Sequence, residues 1–341
     1  MNIKKNVAII ILNWNGWQDT IECLESVFQN NYPNYNIIVV DNDSEDDSVQ
    51  KINDYCNGKI KVKSPFFNYD PSNKPVAILE TRPEDDIQKN VGKPFPPLIL
   101  IRNDENEGFA EGNNIGMRFA LDNLNSDYIL LLNNDTVVDK EFLVEMLKVS
   151  ESDEKIGIAG PKIYYYDKPN RIWFAKGKIS WKFCRGLNTG HNEIDTRQHD
   201  QVAEVEYASG CAFLIKKEVT EEIGLLDKKF FLYFEEIDWT LRASEIGYRS
   251  VFVPGGRIWH KVSKSGGGVS GKVGLYYITR NRWLLMKRWA KKTDFMFFIL
   301  YQAFGAVAIP IFLTIYYQNT ELFMAYYKGL YDGLVTITNN F

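Results

Sequence analysis

The sequence predicts an α/β protein with a mostly parallel sheet flanked by helices and a membrane-associated helical segment at its C-terminus. Two observations carry this prediction. Short apolar runs alternate with helical patterns between residues 6 and 149, which is typical of a parallel sheet covered on both faces. An uncharged stretch of 23 residues follows at 295–317, and it reaches the ~20 residues that a membrane span requires.

Four apolar runs are the predicted strands. They are VAIIIL at 7–12, NIIVV at 36–40, LILI at 98–101 and YILLL at 128–132. Helical spacing follows at 21–28, 109–124 and 142–149, and again at 235–246 after short β-like runs at 171–180 and 202–215. Ligands of such sheets bind beyond the carboxyl ends of the strands. The residues directly after each run are therefore the candidate site.

The composition excludes several classes of protein. With 45% hydrophobic and 25% charged residues, the 341-residue chain is that of a folded globular protein without long disorder. A net charge of −4 gives no general attraction to polyphosphate, so we expect no nucleic-acid partner. Four cysteines without a C-x-x-C pair argue against a disulfide framework and a structural zinc site. The first apolar run is too short for an export signal. Together, the scattered cysteines and the short run predict a cytosolic protein with reduced cysteines.

Two segments depart from the strand and helix alternation. Seven of the twelve prolines fall within 57–97, and we interpret this segment as an insertion or excursion on the sheet edge. The second segment is the uncharged stretch, which follows Lys287, Arg288, Lys291 and Lys292. Such flanking residues stay on the cytoplasmic side, so we expect the body at the cytoplasmic face of the cell membrane. The sequence leaves open whether the helix spans or lies in the interface.

A buried helix pair broken at Pro310 is the alternative for the uncharged stretch. Tryptophan and tyrosine residues at both of its ends favour an embedded or interfacial helix instead.

Polar residues follow the first two strands. An acidic side chain such as Asp41 can accept a hydrogen bond from a ribose hydroxyl or a base N–H, and Trp14 can stack on a base. For 43–47 the alternative is a solvated loop that caps a helix. The run also resembles the start of a calcium loop, but Asp46 and Ile52 stand where that loop needs glycine and glutamate. A strand ending in D-x-D-S further resembles haloacid-dehalogenase-type phosphatases, in which Asp41 would be a nucleophile.

Two more clusters follow the third and fourth strands. Residues 103–116 bring three glycines and four asparagines to the start of a helix, where close backbone approach and free N–H groups suit an anion. The alternative is a glycine-rich capped turn. Asp135 closes the cluster after YILLL, and magnesium and manganese commonly use one or two carboxylates together with substrate phosphates. A helix cap is the alternative there.

The second half of the chain adds carboxylates and a histidine. Glu235, Glu236 and Asp238 follow the aromatic run FFLYF, and on a helix Glu235 and Asp238 share a face. An exposed acidic helix face is the alternative. His260 precedes a basic, glycine-rich loop, which suits a lid over a phosphate, although such loops are often only connectors.

Taken in chain order, eight motifs resemble glycosyltransferase family 2, the inverting nucleotide-sugar enzymes with a GT-A fold, especially its rhamnosyltransferase-like branch. The resemblance covers about residues 6–290. The motifs are ILNWNG, VVDNDSEDDS, ENEGFAEGNNIG, LLLNNDT, ASGCAFLIKKE, FFLYFEEIDWTLR, WHKVSKSGG and YYITRNR. The resemblance implies a GT-A-type sheet. It also implies a metal-assisted direct displacement that moves a sugar to an acceptor hydroxyl. Such a reaction needs charge neutralisation on the diphosphate and a base, but no covalent nucleophile.

The resemblance also implies roles for single residues. Mg²⁺ or Mn²⁺ is expected at Asp135 with His260, and the catalytic base at Glu236, with Glu235 and then Asp238 as the next candidates. The expected donor-binding residues are Trp14, Asn15, Asp41, Asn106, Gly108, Asn114, Asn134 and Lys264. The expected partners are a UDP- or dTDP-sugar donor, a glycan or polyprenyl-linked acceptor, and the membrane.

Three departures from the family pattern stand out. Asn133 and Asn134 precede Asp135 where two aspartates are common, so the metal is expected to be weakly held. The two adjacent carboxylates at the expected catalytic base are Glu-Glu where Glu-Asp is common. The insertion at 57–97 stands where the family has a short connection. A membrane-tethered, non-catalytic sugar-binding protein and the phosphatase are therefore the rival hypotheses.

Three domains are expected from this organisation. Residues 1–256 form the transferase domain, 257–293 an active-site lid with a helical extension, and 294–341 the hydrophobic membrane-associated region.

Overall fold

The structure is a computed structural model that describes residues 4–85, 94–262, 271–312 and 319–338. Its strands are β1 (Val7–Asn13), β2 (Tyr35–Asp41), β3 (Ile78–Thr81), β4 (Leu98–Arg102), β5 (Tyr128–Leu132), β6 (Thr136–Val138), β7 (Ile156–Tyr165), β8 (Ile172–Phe174), β9 (Lys176–Ser180), β10 (Arg185–Thr189), β11 (Ala203–Val205), β12 (Ala212–Lys216) and β13 (Arg249–His260). Its helices are α1 (Trp17–Phe28), α2 (Ser48–Cys56), α3 (Gly108–Asn123), α4 (Phe142–Ser150), α5 (Lys217–Ile223), α6 (Glu235–Glu245), α7 (Lys272–Trp289), α8 (Lys292–Phe312) and α9 (Thr320–Thr338).

An eleven-stranded sheet forms the centre of this described part. β5, β1, β2, β4 and β3 lie side by side and parallel, so their carboxyl ends meet at one edge. β12 lies antiparallel between β5 and β7, and β7 pairs parallel with the long β13. Each of the four predicted apolar runs is a strand, and the predicted mostly parallel α/β architecture is confirmed.

Two helical layers cover the sheet, because alternate side chains of each strand point to opposite faces. Ile9 and Ile11 of β1 pack with α1 and α4, whereas Ile10 packs with α3 on the other side. α3 approaches the sheet closely at Gly116, where an added Cβ would lie 2.7 Å from Ile10. This close packing positions the start of α3 beside the carboxyl ends of β1 and β2.

The predicted insertion lies at the sheet edge, as expected, and it also supplies β3, which the sequence pattern did not indicate. Residues 57–77, here called the strap, cross α1. Glu25 of α1 is fully buried and pairs with the buried Lys74 of the strap at 3.2 Å. Tyr55 also donates to Glu25, at 2.8 Å. The insertion is therefore tied into the core through a compensated buried charge.

The C-terminal helices form a separate layer on the body. α7 packs on α9, where Gly333 contacts Trp283 and the Tyr276 hydroxyl donates to Asp332 at 2.7 Å. α8 rests on a 3-10 turn at 181–183, and the ring of Phe183 lies 5.2 Å from that of Tyr301.

Much of α8 is exposed although it is apolar. Among the described residues it is the one helix long and apolar enough to cross a membrane. Its exposed side chains include Met296, Phe297, Leu300, Phe304 and Val307. The helix continues past Pro310 to Phe312. The alternative of a buried helix pair broken at Pro310 is therefore wrong, while residues 313–317 of the predicted stretch lie outside the described residues.

Candidate functional site

The candidate site begins where β1 and β2 end. Asn13 donates to Asp41 at 2.7 Å, and Ser44 donates to the same carboxylate oxygen at 2.7 Å. The main-chain N–H of Ser44 donates to the other oxygen at 3.2 Å. Asp41 is only 3% exposed, so its carboxylate is held in one orientation by protein donors. The sequence predicted Asp41 but missed Asn13 and Ser44, although both lie within the two quoted motifs.

Trp14 and Asn15 stand at the mouth of this network. Trp14 is 45% exposed, so the face predicted to stack on a base is accessible. Asn15 adopts a φ of 50°, and its side-chain oxygen accepts from the N–H groups of Glu45 and Asp46. The Asn15 side chain therefore shapes the loop after β2 rather than reaching outward.

An amide network links the ends of β2 and β4 to α3. Asn42 donates to the side-chain oxygen of Asn106 at 3.0 Å and to the carbonyl of Gly108 at 3.2 Å. In turn, Asn103 donates to Asn42 at 3.0 Å. Asn42 is the hub of this network, and nothing in the sequence pattern distinguished it from the neighbouring acidic residues.

The start of α3 differs from its predicted role. Gly108 has a φ of +76°, and an added Cβ would lie 2.5 Å from the Phe231 ring. The N–H groups of Phe109 and Ala110 both donate to the carbonyl of Phe231, at 2.7 and 3.1 Å. The N–H of Gly108 donates to Asn106 at 2.9 Å. The expectation of free N–H groups here is therefore wrong, because a neighbouring loop already caps this helix.

Asn114 lies inside the protein rather than in an open pocket. It is 2% exposed and exchanges two hydrogen bonds with the main chain of Leu226, at 2.9 and 3.0 Å. A third bond runs to Glu111 at 2.9 Å. The side chain joins α3 to the segment that precedes α6.

The end of β5 brings a carboxylate and a histidine together. Asp135 and His260 approach to 3.1 Å through Oδ1 and Nε2, because the antiparallel pairing of β6 and β13 juxtaposes their ends. Asn134 donates to the hydroxyl of Thr20 at 3.0 Å and so ties this cluster to α1. The structure thus brings together two residues that are 125 positions apart in the sequence.

His260 is 6% exposed, and its Nδ1 has no hydrogen-bond partner among the described residues. Burial alone would lower the pKa of His260, but the neighbouring Cys211 and Asp135 raise it well above its ordinary value. Cys211 did not emerge from the sequence as a site residue, because a lone cysteine gives no pattern.

The pair fits a divalent metal that displaces the proton held between His260 and Asp135. A carboxylate oxygen and an imidazole nitrogen are both ligands of Mn²⁺-type ions, whereas Mg²⁺ prefers oxygen. The described residues contain no cluster of three or more His, Cys, Asp or Glu side chains that could hold a metal. The protein would therefore supply two ligands, and the remainder would come from diphosphate and water.

The carboxylates of α6 have separate environments. Glu235 is 4% exposed, and one oxygen of Glu235 and one of Glu236 are buried without a hydrogen-bond partner among the described residues. Burial raises the pKa of Glu236 to about 7. Burial, and then the charge of Glu236, raise the pKa of Glu235 well above its ordinary value. An added Cβ at Gly210 would lie 3.5 Å from Glu236, so the ASGC motif packs beside this residue.

Asp238 is different, because it is fully buried within an ionic cluster. Its carboxylate contacts Arg242 at 3.0 Å and Arg288 at 2.6 Å, and the indole N–H of Trp289 donates to it at 2.9 Å. Its oxygens already bind α6 and α7 side chains, which argues against its predicted place as third candidate for the base. Lys264, the remaining predicted donor residue, lies outside the described residues.

Comparison with known proteins identifies relatives of this chain. The family model described as "Glycosyltransferase like family 2" matches residues 5–285. A low-salt glycan biosynthesis hexosyltransferase, Agl10 of Haloferax volcanii, is 31% identical over 140 residues, which cover 40% of this chain and 43% of that protein. The dTDP-rhamnosyl transferase RfbF of Shigella flexneri is 24% identical over 223 residues, which cover 62% of this chain and 71% of that protein.

A solved structure shares the fold at low sequence identity. It is the mannosyltransferase PcManGT from Pyrobaculum calidifontis in complex with GDP-Man and Mn²⁺, with a TM-score of 0.53 and 12% identity. The match covers 99% of this chain and 76% of that one. The predicted GT-A-type fold is thereby confirmed.

Proposed function

This chain belongs to glycosyltransferase-like family 2 and is a glycosyltransferase, and we propose that it moves a sugar from a nucleoside-diphosphate sugar to an acceptor hydroxyl with inversion at the anomeric carbon. A direct displacement needs a base that removes the acceptor proton and a site that neutralises charge on the departing diphosphate. The carboxylates of α6 match the need for a base, and the cluster at the ends of β1, β2 and β5 matches the need for a diphosphate site.

Glu236 is the proposed general base, and the observation that carries the proposal is its buried carboxylate oxygen, which has no hydrogen-bond partner among the described residues. A carboxyl with a pKa of about 7 is about half ionised at neutral pH and is a stronger base than an ordinary glutamate. Burial, and then the charge of Glu236, raise the pKa of Glu235 as well. The pKa of about 7 suits Glu236 to accept the acceptor proton near neutral pH.

The donor end is proposed at the ends of β1, β2 and β5. Trp14 stacks on the base of the nucleotide, and Asp41 accepts a hydrogen bond from the base or ribose. Asp135 and His260 would hold Mg²⁺ or Mn²⁺, and the ion would supply neutralisation of the leaving group's charge. Support comes from the 3.1 Å approach of the two side chains and from the Mn²⁺ in the related mannosyltransferase structure.

Asn106, Gly108, Asn114 and Asn134 then act on the donor indirectly. The Asn106 side chain and the Gly108 carbonyl both accept from Asn42, whereas Asn114 binds Leu226 and Asn134 donates to Thr20. We assign them to the shape of the pocket rather than to contacts with the donor.

The proposed donor is a dTDP- or UDP-sugar, and the proposed acceptor is a glycan or a polyprenyl-linked glycan. The rhamnosyl transferase relative supports the first choice, because its name specifies a dTDP-sugar. The exposed apolar face of α8 supports a membrane-bound acceptor. The basic residues that precede it support a location at the cytoplasmic face of the membrane, namely Lys287, Arg288, Lys291 and Lys292.

One experiment tests the proposal. The full chain is incubated in detergent with a panel of dTDP-, UDP- and GDP-sugars, Mn²⁺ and lipid-linked acceptors, and release of nucleoside diphosphate and glycan product are both measured. Transfer from one donor class with inverted linkage supports the proposal. Binding of a donor without any turnover would favour the non-catalytic alternative, and release of inorganic phosphate from simple esters would favour the phosphatase alternative.

A further inference from the structure

The loop immediately before the proposed base has an unusual backbone. We call residues 230–234 the base loop. Phe231, Tyr233 and Phe234 have φ values of 62°, 69° and 75°. Residues other than glycine rarely adopt this region, because the Cβ clashes with the backbone. Three such residues within four positions persist only when surrounding contacts offset the cost of that conformation.

One buried side chain of α7 supplies most of those contacts. Asn281 is completely buried, and its amide nitrogen lies 2.8 Å from each of the carbonyl oxygens of Phe230, Leu232 and Tyr233. The Nε–H of Arg280 donates to the amide oxygen of Asn281 at 2.8 Å. This bond fixes which end of the amide faces the base loop, so the two N–H bonds of the Asn281 amide are shared among three carbonyl oxygens of the loop backbone.

The other side of the base loop reaches the donor pocket. The ring of Phe231 stacks on Tyr277 of α7, with 4.7 Å between centroids and 12° between planes. The carbonyl of the same residue accepts from the N–H groups of Phe109 and Ala110 at the start of α3. The base loop therefore joins three elements: α3 on the donor side, α6 with its carboxylates, and α7 behind both.

We propose that Asn281 is a positioning residue that fixes the base loop and thereby sets Glu236 relative to the donor pocket. The inference rests on the proposed function, and it assigns the YYITRNR segment of α7 a role that the sequence left open. Asn281 is completely buried, and its amide nitrogen faces the base loop. It acts through the three carbonyls, and its loss would release the loop that carries both the helix cap of α3 and the start of α6.

The principal test is Asn281→Asp in the full chain, because this change keeps the shape of the side chain and replaces the donor with an acceptor. Repulsion between the carboxylate and three carbonyls should displace the base loop. A misplacement of about 1 Å can cost about 100-fold in rate. We therefore expect kcat for sugar transfer, calculated per protein molecule that binds the donor, to fall by about 10- to 100-fold. The affinity for the nucleotide-sugar donor should change much less than kcat does.

Two further variants separate positioning from simple loss of folding. Asn281→Gln keeps an amide donor and should recover part of the lost kcat. Tyr277→Leu removes the ring that stacks on Phe231 and that also contacts Tyr276 and the Arg280 guanidinium, and it should lower kcat while the midpoint of thermal unfolding stays near that of the wild type. Tyr276→Phe is the matched control, because Tyr276 neighbours Tyr277 but its hydroxyl binds Asp332 of α9. Its kcat should match the wild type.

The outcomes are distinct for the two proposals. Wild-type kcat in folded Asn281→Asp overturns the positioning role while leaving the proposed function intact. If Asn281→Asp does not fold, unchanged kcat in Tyr277→Leu overturns it equally. A wild-type chain that binds donors but transfers no sugar to any acceptor would overturn the proposed function itself, and the inference with it.

Discussion

The carboxylate of Asp238 lies 2.6 Å from a guanidinium nitrogen of Arg288, which joins the first turn of α6 to the last turn of α7. Arg242 occupies the other oxygen at 3.0 Å, and Asp238 is fully buried. A buried charge of this kind is tolerated because its partners compensate the loss of hydration. Asp238 therefore holds the helix that carries Glu235 and Glu236.

We expect Asp238→Asn to destabilise the fold. Removal of the charge leaves Arg242 without the ion pair at 3.0 Å and leaves Arg288 with Asp227 alone, at 2.7 Å, and the loss of one partner from a buried pair costs about 3 kcal/mol or more. The free energy of urea unfolding measures the effect. Asp122→Asn, at an exposed position of α3, is the control. Equal unfolding free energies for the Asp238 and Asp122 variants would contradict the assignment.

Glu236→Gln should lower the rate of sugar transfer by about 10²- to 10⁴-fold, the usual contribution of a general base. Donor affinity should be largely retained, because the change removes only the proton acceptor. Glu235→Gln is the matched variant on the neighbouring position, and we expect a smaller loss. The assay scores transfer and nucleotide-sugar binding separately. A Glu235→Gln enzyme that is inactive beside a normal Glu236→Gln enzyme would move the base by one residue.

The pH dependence of catalysis should follow the same carboxyl. A base works only when deprotonated, and the pKa of Glu236 is about 7. We therefore expect kcat to rise with pH and to reach half of its plateau near about pH 7. The measurement is a rate profile with constant ionic strength and saturating donor. A profile already flat from about pH 5 upward would show that an ordinary carboxylate, or no base, limits the reaction.

The stability of the fold should fall as pH rises, whereas kcat should rise. The pKa of Glu236 is raised from 4.5 in the unfolded chain to about 7 in the fold, so the folded state binds the proton more strongly than the unfolded state. Folding free energy is then lost as pH rises from 4.5 through about 7. Glu236→Gln, which stays neutral, should therefore unfold at a higher temperature than wild type at about pH 8 and at a similar one below about pH 4.5.

Glu245→Gln, on the exposed end of α6, is the control for the stability measurement. It should show no such crossover. A Glu236→Gln protein that is no more stable than wild type at about pH 8 would mean that Glu236 ionises without cost in the fold.

Metal dependence should centre on Asp135. We expect transfer to stop in excess chelator and to return with Mn²⁺, because the leaving diphosphate needs neutralisation of its charge. Asp135→Ala should abolish transfer in a folded protein. Asp139→Asn is the control, since Asp139 forms an ion pair with Arg257 near the surface. Full turnover of the wild type in chelator would remove the metal from the mechanism.

The exposed face of α8 should govern membrane binding. Leu300 and Phe304 are 69% and 72% exposed, and each buried apolar side chain contributes about 1.5 to 3 kcal/mol. The double variant Leu300→Gln, Phe304→Gln should shift the chain from sedimenting with vesicles to the supernatant. Ile194→Gln, at an apolar residue of the body that is 58% exposed, is the control. Equal sedimentation of both variants with the vesicles would contradict the proposal.

Local periodicity sufficed to predict the sheet. The runs that became β1, β2, β4 and β5 are buried on both faces, so their hydrophobicity is continuous and needs no knowledge of the partner strand. β3 was not predicted, because an edge strand of mixed exposure next to prolines gives no such signal.

The site was predictable where residue type alone implies chemistry. Asp135 and His260 were both named, and they lie together. What escaped the sequence are the residues that act through backbone carbonyls and amides, such as Asn42 and Asn281. Their partners are fixed by tertiary geometry, and an asparagine in a sequence does not reveal which carbonyl its amide will meet.

The proline-rich insertion has a consequence for the solution behaviour of the protein. β3 pairs along the whole of its length with β4, whose residues Leu98 to Leu100 are completely buried. Without β3, β4 would be an outer strand of leucine and isoleucine with unpaired main-chain groups, which is a template for self-association. Instead the outer strand carries Glu80, paired with Arg102 at 2.9 Å. The insertion thus protects the sheet against fibril-like pairing between copies. This role is structural and independent of the catalytic motifs.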